Sequence, residues 1–286
     1  MVEFENVTYF YKGLSISGVR ALSNVSFKVE QGDFVCVVGH TGSGKTTLLK
    51  VLNGLFKPSE GKVYINGADV WADKAAFSEF RRYIGFVFQN PSYQLFEDTV
   101  WRDIAFGPKN LGLSSLEIER RVKNVVDVVG ISEDLLTKSP FELSGGQKKK
   151  VAIAGVMAMN PKILLLDEPV AGLDPKSRFH ILKIIRKYNK DFGVTVLLIT
   201  HSMEDVYMYA NKVLVLNNGE LFSYNTVENT FKCVDRLKSI GLDIPDISKV
   251  FLKLKNMGFP VPTTVYSIDM AVEAIKNILF KGGKNG

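Results

Sequence analysis

Five apolar residues in a row, Phe34-Val35-Cys36-Val37-Val38, show no alternation, which predicts a parallel strand covered on both faces. Residues 163–166 and 194–200 repeat that character, while Val2 to Tyr11 and residues 22–30 read as more mixed β-like runs. A Gly/Ser bend over 13–18 separates the mixed runs, and Gln31-Gly32-Asp33 marks a turn. Elsewhere the spacing is helical. Leucines at 48, 52 and 55 predict a helix over 45–55 closed by Gly54 and Pro58. Ile118, Val122, Val125, Val126 and Val129 form one stripe over 114–130, with Ser114 and Glu117 in a capping-box pattern. Further helices are predicted over 148–159 and 175–190. Strands alternating with helices predict an α/β fold around a parallel sheet, and the stretch from about 90 to 160 reads as a helical insertion. After Gly219 the pattern weakens into short helical pieces between Gly241, Pro245, Gly258, Pro260 and Pro262. A main domain over 1–225 and a small helical extension over 226–286 are expected.

The chain has 286 residues, 46% of them hydrophobic and 23% charged, which excludes intrinsic disorder. No apolar run approaches the roughly 20 residues needed to span a bilayer. The start, Met-Val-Glu-Phe-Glu-Asn, is acidic where a secretory signal is basic, so a cytosolic location is expected. Two cysteines, Cys36 and Cys233, stand in no metal-ligand spacing and exclude a disulfide framework or zinc ribbon. The net charge of +6 suits nucleotides, nucleic acid or an anionic membrane and does not choose among them.

Chemistry enters at Gly39-His40-Thr41-Gly42-Ser43-Gly44-Lys45-Thr46, a G-x-x-x-x-G-K-[ST] loop between an apolar strand and a helix, followed by Thr47. Its glycines let backbone amides close on phosphate oxygens, the helix start adds positive potential, and Lys45 supplies a full charge. Thr46 offers its hydroxyl to Mg2+. The run Ile163-Leu164-Leu165-Leu166 ends in Asp167-Glu168, at the strand end where ligands of open α/β sheets bind. Asp167 is expected beside Mg2+, and Glu168 is expected to orient or deprotonate the attacking water.

A second anion-binding helix start is predicted at Leu143-Ser144-Gly145-Gly146-Gln147, with a serine cap and two bare glycines. With this LSGGQ between the two phosphate-site motifs, the chain resembles the ATP-binding cassette (ABC) family over about residues 1–225. The resemblance implies a phosphate-loop NTPase fold with a mixed β core and a helical subdomain. It makes Tyr11 the aromatic that stacks on adenine, Gln89 a nucleotide and Mg2+ contact, Asp174 the D-loop aspartate and His201 the switch histidine. It also implies two cassettes packed head to tail, with Ser144, Gly145, Gly146 and Gln147 serving the partner's ATP. Val170, where threonine is frequent, and Lys148 to Lys150, where arginines are frequent, depart from the common pattern without removing a catalytic group.

The segment from Phe88 to Val100, followed by Asp103-Ile104-Ala105-Phe106-Gly107-Pro108, is similar to energy-coupling factor importers and their cobalt or nickel relatives. That similarity implies a second, diverged cassette ATPase, a membrane coupling protein and a membrane subunit binding a vitamin or metal ion. This chain would then sit peripherally on the cytoplasmic face of the cell membrane, with Glu97 and Asp98 pairing basic groups of the coupling protein. By analogy, the C-terminal extension supplies contacts between the ATPases. The alternative is a soluble cassette ATPase acting on nucleic acid or ribosomes. Against it, the motifs lie in one short cassette without a long coiled-coil insertion, so no nucleic-acid partner is expected.

Overall fold

The computed structural model describes residues 1–11, 18–232, 234–263 and 265–282. Most of the predicted bend over 13–18, and Cys233, lie outside them. Strands β1 (Val2–Tyr11) and β2 (Val19–Val29) pair antiparallel, with Val2, Phe4, Val7, Leu22, Val25 and Val29 turned inward. Strand β3 (Phe34–Val38) is buried at every position and leads into α1 (Lys45–Leu52). The chain then forms β4 (Glu60–Ile65), β5 (Ala68–Asp69), α2 (Lys74–Tyr83) and β6 (Ile84–Val87). Three helices follow as the insertion: α3 (Val100–Asn110), α4 (Ser115–Val129) and α5 (Gly145–Ala158). Next come β7 (Ile163–Asp167), α6 (Pro175–Phe192), β8 (Thr195–Ile199), α7 (Met203–Tyr209), β9 (Lys212–Asn217) and β10 (Glu220–Thr226).

Two sheets result. The smaller runs β2-β1-β4-β5 and is antiparallel; the larger runs β10-β9-β3-β8-β7-β6 and is parallel except at the β10 edge. The unbroken apolar runs have a direct cause here, because alternate residues of each central strand feed different cores. Val35, Val37, Leu165, Leu197 and Ile199 pack toward the small sheet and α1. Phe34, Cys36, Val38, Leu164, Leu166, Val196 and Leu198 pack toward the helices.

Helix α1 stops at Leu52 rather than 55, because Asn53 caps it and Gly54 turns at φ +71. Ser114 caps α4, but Glu117 returns no bond to it; its carboxylate is taken by Arg120 and Arg121, which hold it down at about 2. Residues 220–226, expected as helical pieces, form an edge strand instead. Asn218-Gly219, both at positive φ, make the tight turn that folds β10 back on β9.

The C-terminal segment holds α8 (Val227–Lys232), α9 (Val234–Ser239), α10 (Asp246–Asn256) and α11 (Ile268–Gly282). Phe231, Leu237, Leu242 and Tyr266 belong to the large helical-side core, whereas Phe251, Val261, Val265 and Ala271 form a small core of their own.

Candidate functional site

The glycine loop occupies the C-terminal end of β3. Gly42 and Gly44 adopt φ +83 and +100, and a Cβ on Gly44 would stand 2.6 Å from the Ala21 carbonyl. A Cβ on Gly39 would stand 2.4 Å from both the Leu216 carbonyl and Ser43 Oγ, so glycine is needed there for space. No side chain caps α1, which leaves its first amides facing the loop. Lys45 Nζ donates to the carbonyls of Gly39 and His40, each at 2.9 Å. Burial pushes its ammonium pKa down, and the carboxylates of Glu168 and Asp167 pull it back up. The His40 ring nitrogens lie 2.8 Å from the Thr41 carbonyl and 3.2 Å from Asn217 Oδ1.

A cleft of about 470 Å3 opens beside the loop, walled by Tyr11, Thr41, Gly42, Gly44, Lys45, Thr46, Thr47, Gln89, Glu168 and His201. Arg20, which sequence reading missed, joins them next to the loop. The Tyr11 hydroxyl lies 3.0 Å from Thr47 Oγ1, and its ring stands edge-on to Tyr9 and Phe56. A slightly larger hollow of about 490 Å3 lies elsewhere, against Arg120, Arg121, Tyr188 and Phe192. Glu117 binds both arginines, and Arg121 also donates to the Met159 carbonyl, so volume alone does not make that hollow a phosphate site.

Asp167 ends β7 almost fully buried, and among the described residues neither its Oδ1 nor Ser43 Oγ finds a hydrogen-bond partner. Burial pushes the Asp167 carboxyl above its ordinary range; the Thr46 hydroxyl and the charges of Lys50 and Lys45 oppose this, and Glu168 adds to it. Unpaired buried oxygens beside a threonine hydroxyl and a glycine cradle fit a magnesium ion bound with a triphosphate. Glu168 is held at φ +48 by its amide bond to the Ile199 carbonyl, and its Oε1 lies 2.8 Å from His201 Nε2.

The remaining sequence candidates lie outside this cleft. Ser144 and Gln147 form a complete capping box, 2.9 Å from Ser144 N to Gln147 Oε1 and 3.4 Å for the reciprocal bond. Ser144 and Gly145 are exposed, and a Cβ on Gly145 would meet nothing within 4 Å. Asp174 caps α6 through the Ser177 amide, and hydrogen bonds from Ser177 hold its carboxyl below the ordinary range. Asp98 pairs with Arg102 at 3.0 Å, which already engages its charge, while Glu97 is half-buried.

Close by, Tyr93, Phe96, Phe106 and Gly155 wall a hollow of about 390 Å3 that also takes in Asp103. Asp103 is buried; Oδ1 accepts from the Phe96 amide, Oδ2 has no partner among the described residues, and burial pushes its carboxyl up. Its only sequence signal was an acid on the buried stripe of Val100, Ile104 and Ala105.

A glycine phosphate cradle, a strand-end carboxylate pair and an outward-facing capped helix together define a phosphate-loop ATPase. Residues 22–171 match the family described as ABC transporter, and the chain belongs to that family. It binds ATP with Mg2+ and hydrolyses the ATP. It is 46% identical to the energy-coupling factor transporter ATP-binding protein EcfA2 of Caldanaerobacter subterraneus subsp. tengcongensis, over 99% of each chain. Among solved structures it resembles cbiO1 from Clostridium perfringens, part of the ABC transporter complex cbiONQ, with TM-score 0.74 and 34% identity over 90% of this chain and 96% of that one. It also resembles the ATP-binding cassette MJ0796 in a dimeric post-hydrolysis state bound to ADP and Pi, with TM-score 0.72 and 32% identity over 79% of this chain and 99% of that one.

Proposed function

We propose that this chain is the ATP-hydrolysing subunit of an energy-coupling factor importer for a vitamin or transition-metal ion. It works head to tail with a second, diverged cassette ATPase, docked on a membrane coupling protein that carries the substrate-binding membrane subunit. The complex sits at the cytoplasmic face of the cell membrane. Among the described residues no helix is long and apolar enough to cross a membrane, which fits a peripheral subunit held by partners.

The observation that carries this reading is the capped start of α5, exposed and outside the chain's own cleft. The Ser144 and Gln147 amides close on each other's side chains, which leaves Gly145 at an exposed helix start for a phosphate brought by a second cassette. Lys45 and the loop amides hold the outer phosphates, and Tyr11, at the wall of the cleft, supplies the ring on which the base stacks. Glu168 orients water while His201 fixes the carboxylate. Thr46, Gln89 and Asp167 would hold the magnesium ion, which neutralises phosphate charge when bound. On the outer surface, the exposed Asp98 and the half-buried Glu97 are the acids offered to a basic group of the coupling protein, while Asp103 stays buried in the lining of the neighbouring hollow.

Coexpression with a second cassette and a multi-span membrane subunit is expected to yield a complex that survives purification and hydrolyses ATP faster per site than the isolated chain. Failure to co-purify, together with hydrolysis stimulated by nucleic acid, would support the soluble alternative.

Helix α11 bears an exposed apolar stripe of Ile268, Val272, Ile275 and Leu279, at helical spacing. Within the proposed complex it supplies contact between the two ATPases. Val272→Asp with Ile275→Asp is expected to weaken nucleotide-free dimerisation at least about tenfold by analytical ultracentrifugation, with Tm unchanged because both positions are exposed. An unaltered dimer constant would reduce the extension to a lid on the cassette.

A further inference from the structure

Behind the Glu168–His201 pair, the backbone of the histidine loop is tied to a helix on the other side of the site. Arg178, one turn inside α6, makes two bonds to Asp205 on α7: Nε to Oδ1 at 3.2 Å, and a shorter one from Nη2 to Oδ2. Asp205 is buried, and its Oδ2 also accepts from Thr200 Oγ1 at 3.1 Å. That hydroxyl oxygen in turn accepts from the Ser202 amide at 3.1 Å, and Ser202 Oγ accepts from the Asp205 amide at 3.2 Å. Residues 200 and 202, on either side of His201, are therefore pinned through one carboxylate.

The imidazole itself has little else to hold it. Its side chain is 50% exposed, and a hollow of about 310 Å3 lined by Leu173, Arg178, Thr200 and His201 lies between the D-loop and the histidine loop. At the other end of the connection, the Arg178 amide bonds the Asp174 carbonyl at 3.0 Å, so the arginine rides on the same helical turn as the D-loop aspartate.

We propose that Arg178 and Asp205 are positioning residues: their ion pair, passed on through Thr200, holds His201 against Glu168 and ties that contact to the placement of the D-loop. The inference rests on the reading of Glu168 and His201 as the water-orienting pair. A displaced D-loop then slackens the histidine loop, and hydrolysis waits on correct seating of the neighbouring cassette. Neither Arg178 nor Asp205 lines the nucleotide cleft, so their loss is expected to act on turnover and not on binding.

The test is ATP hydrolysis by the assembled transporter, in steady state and single turnover, for Asp205→Asn and Thr200→Val, each alone and combined with His201→Ala. Thr200→Val keeps both charges and cuts only the tether, which separates positioning from a disturbed fold. Each single variant is expected to lower kcat about tenfold with KM for ATP within about twofold, and to change kcat less than about twofold once His201 is absent. The proposal is overturned if the losses are equally large without His201, if KM rises in place of a fall in kcat, or if kcat is unchanged. In any of those cases a slow His201→Ala enzyme leaves the Glu168–His201 reading standing. A fully active His201→Ala enzyme overturns that reading and the strut together.

Discussion

Glu168→Gln is expected to lower kcat for ATP hydrolysis by about 10²- to 10⁴-fold, the range lost with a general base, while ATP affinity stays the same or rises. The amide keeps the shape of the side chain and can still meet His201, so the 2.8 Å contact and the cleft survive. What it loses is the basic oxygen that takes a proton from water and the negative charge facing the outer phosphates. Backbone conformation supplies an independent check. Glu168 sits at φ +48, a placement costing about 1–3 kcal/mol for a residue with a side chain, and it persists because β7 and β8 pair up to Asp167 and Ile199. Glu168→Gly relieves that cost, so it is expected to match or exceed the wild type in Tm while being as inactive as the glutamine variant. Steady-state hydrolysis, nucleotide binding and thermal unfolding together decide the matter; wild-type kcat in either variant would remove Glu168 from the chemistry.

Asp167→Asn is expected to reverse the order of stabilities with and without ligand. Burial raises the folded-state pKa of Asp167 above its unfolded value, so its ionisation costs stability that is lost as pH rises through the folded pKa. At neutral pH without magnesium, the asparagine variant is therefore expected to be the more stable of the two, seen as a higher Tm. With Mg-ATP at a hundred times its dissociation constant, the wild type gains about 2.7 kcal/mol. The variant gains far less, because the orphaned Oδ1 is the oxygen it gives up to the amide exchange. Lowering the pH through the folded pKa begins to protonate the wild-type carboxyl, and the ligand-free difference is gone once the pH lies below the unfolded pKa as well. Thermal unfolding over a pH series, with and without magnesium, checks both signs; equal ligand-induced shifts in the two proteins would take Asp167 out of the metal site.

Legibility in the sequence followed how local each signal was. The loop between Val38 and Lys45 reads correctly because strand, glycines and helix are contiguous and each dictates its own backbone. Ser144 reads correctly as a helix start because a cap needs only the next three residues, whereas Asp174, expected only as the D-loop aspartate, is found to cap α6 as well. The mixed sheet was less legible. Strand β10 is polar and half-buried along an edge, so it lacks the apolar run of β3, and its one strong local cue, Asn218-Gly219, went unweighted. Glu117 fits a capping box on paper, but two arginines one turn away offer stronger charge-assisted bonds. Asp103, Arg178 and Asp205 carry no motif; their importance comes from partners brought together by the fold, 27 residues apart for the ion pair.

Phe231, Leu237, Leu242 and Tyr266 sew the C-terminal segment into the large core at well-separated points along the chain. A segment stitched that way is expected to travel with the catalytic half as a lever rather than trail it as a flap. A protein gripping its outer helix is therefore expected to feel movements of the cassette through that shared core.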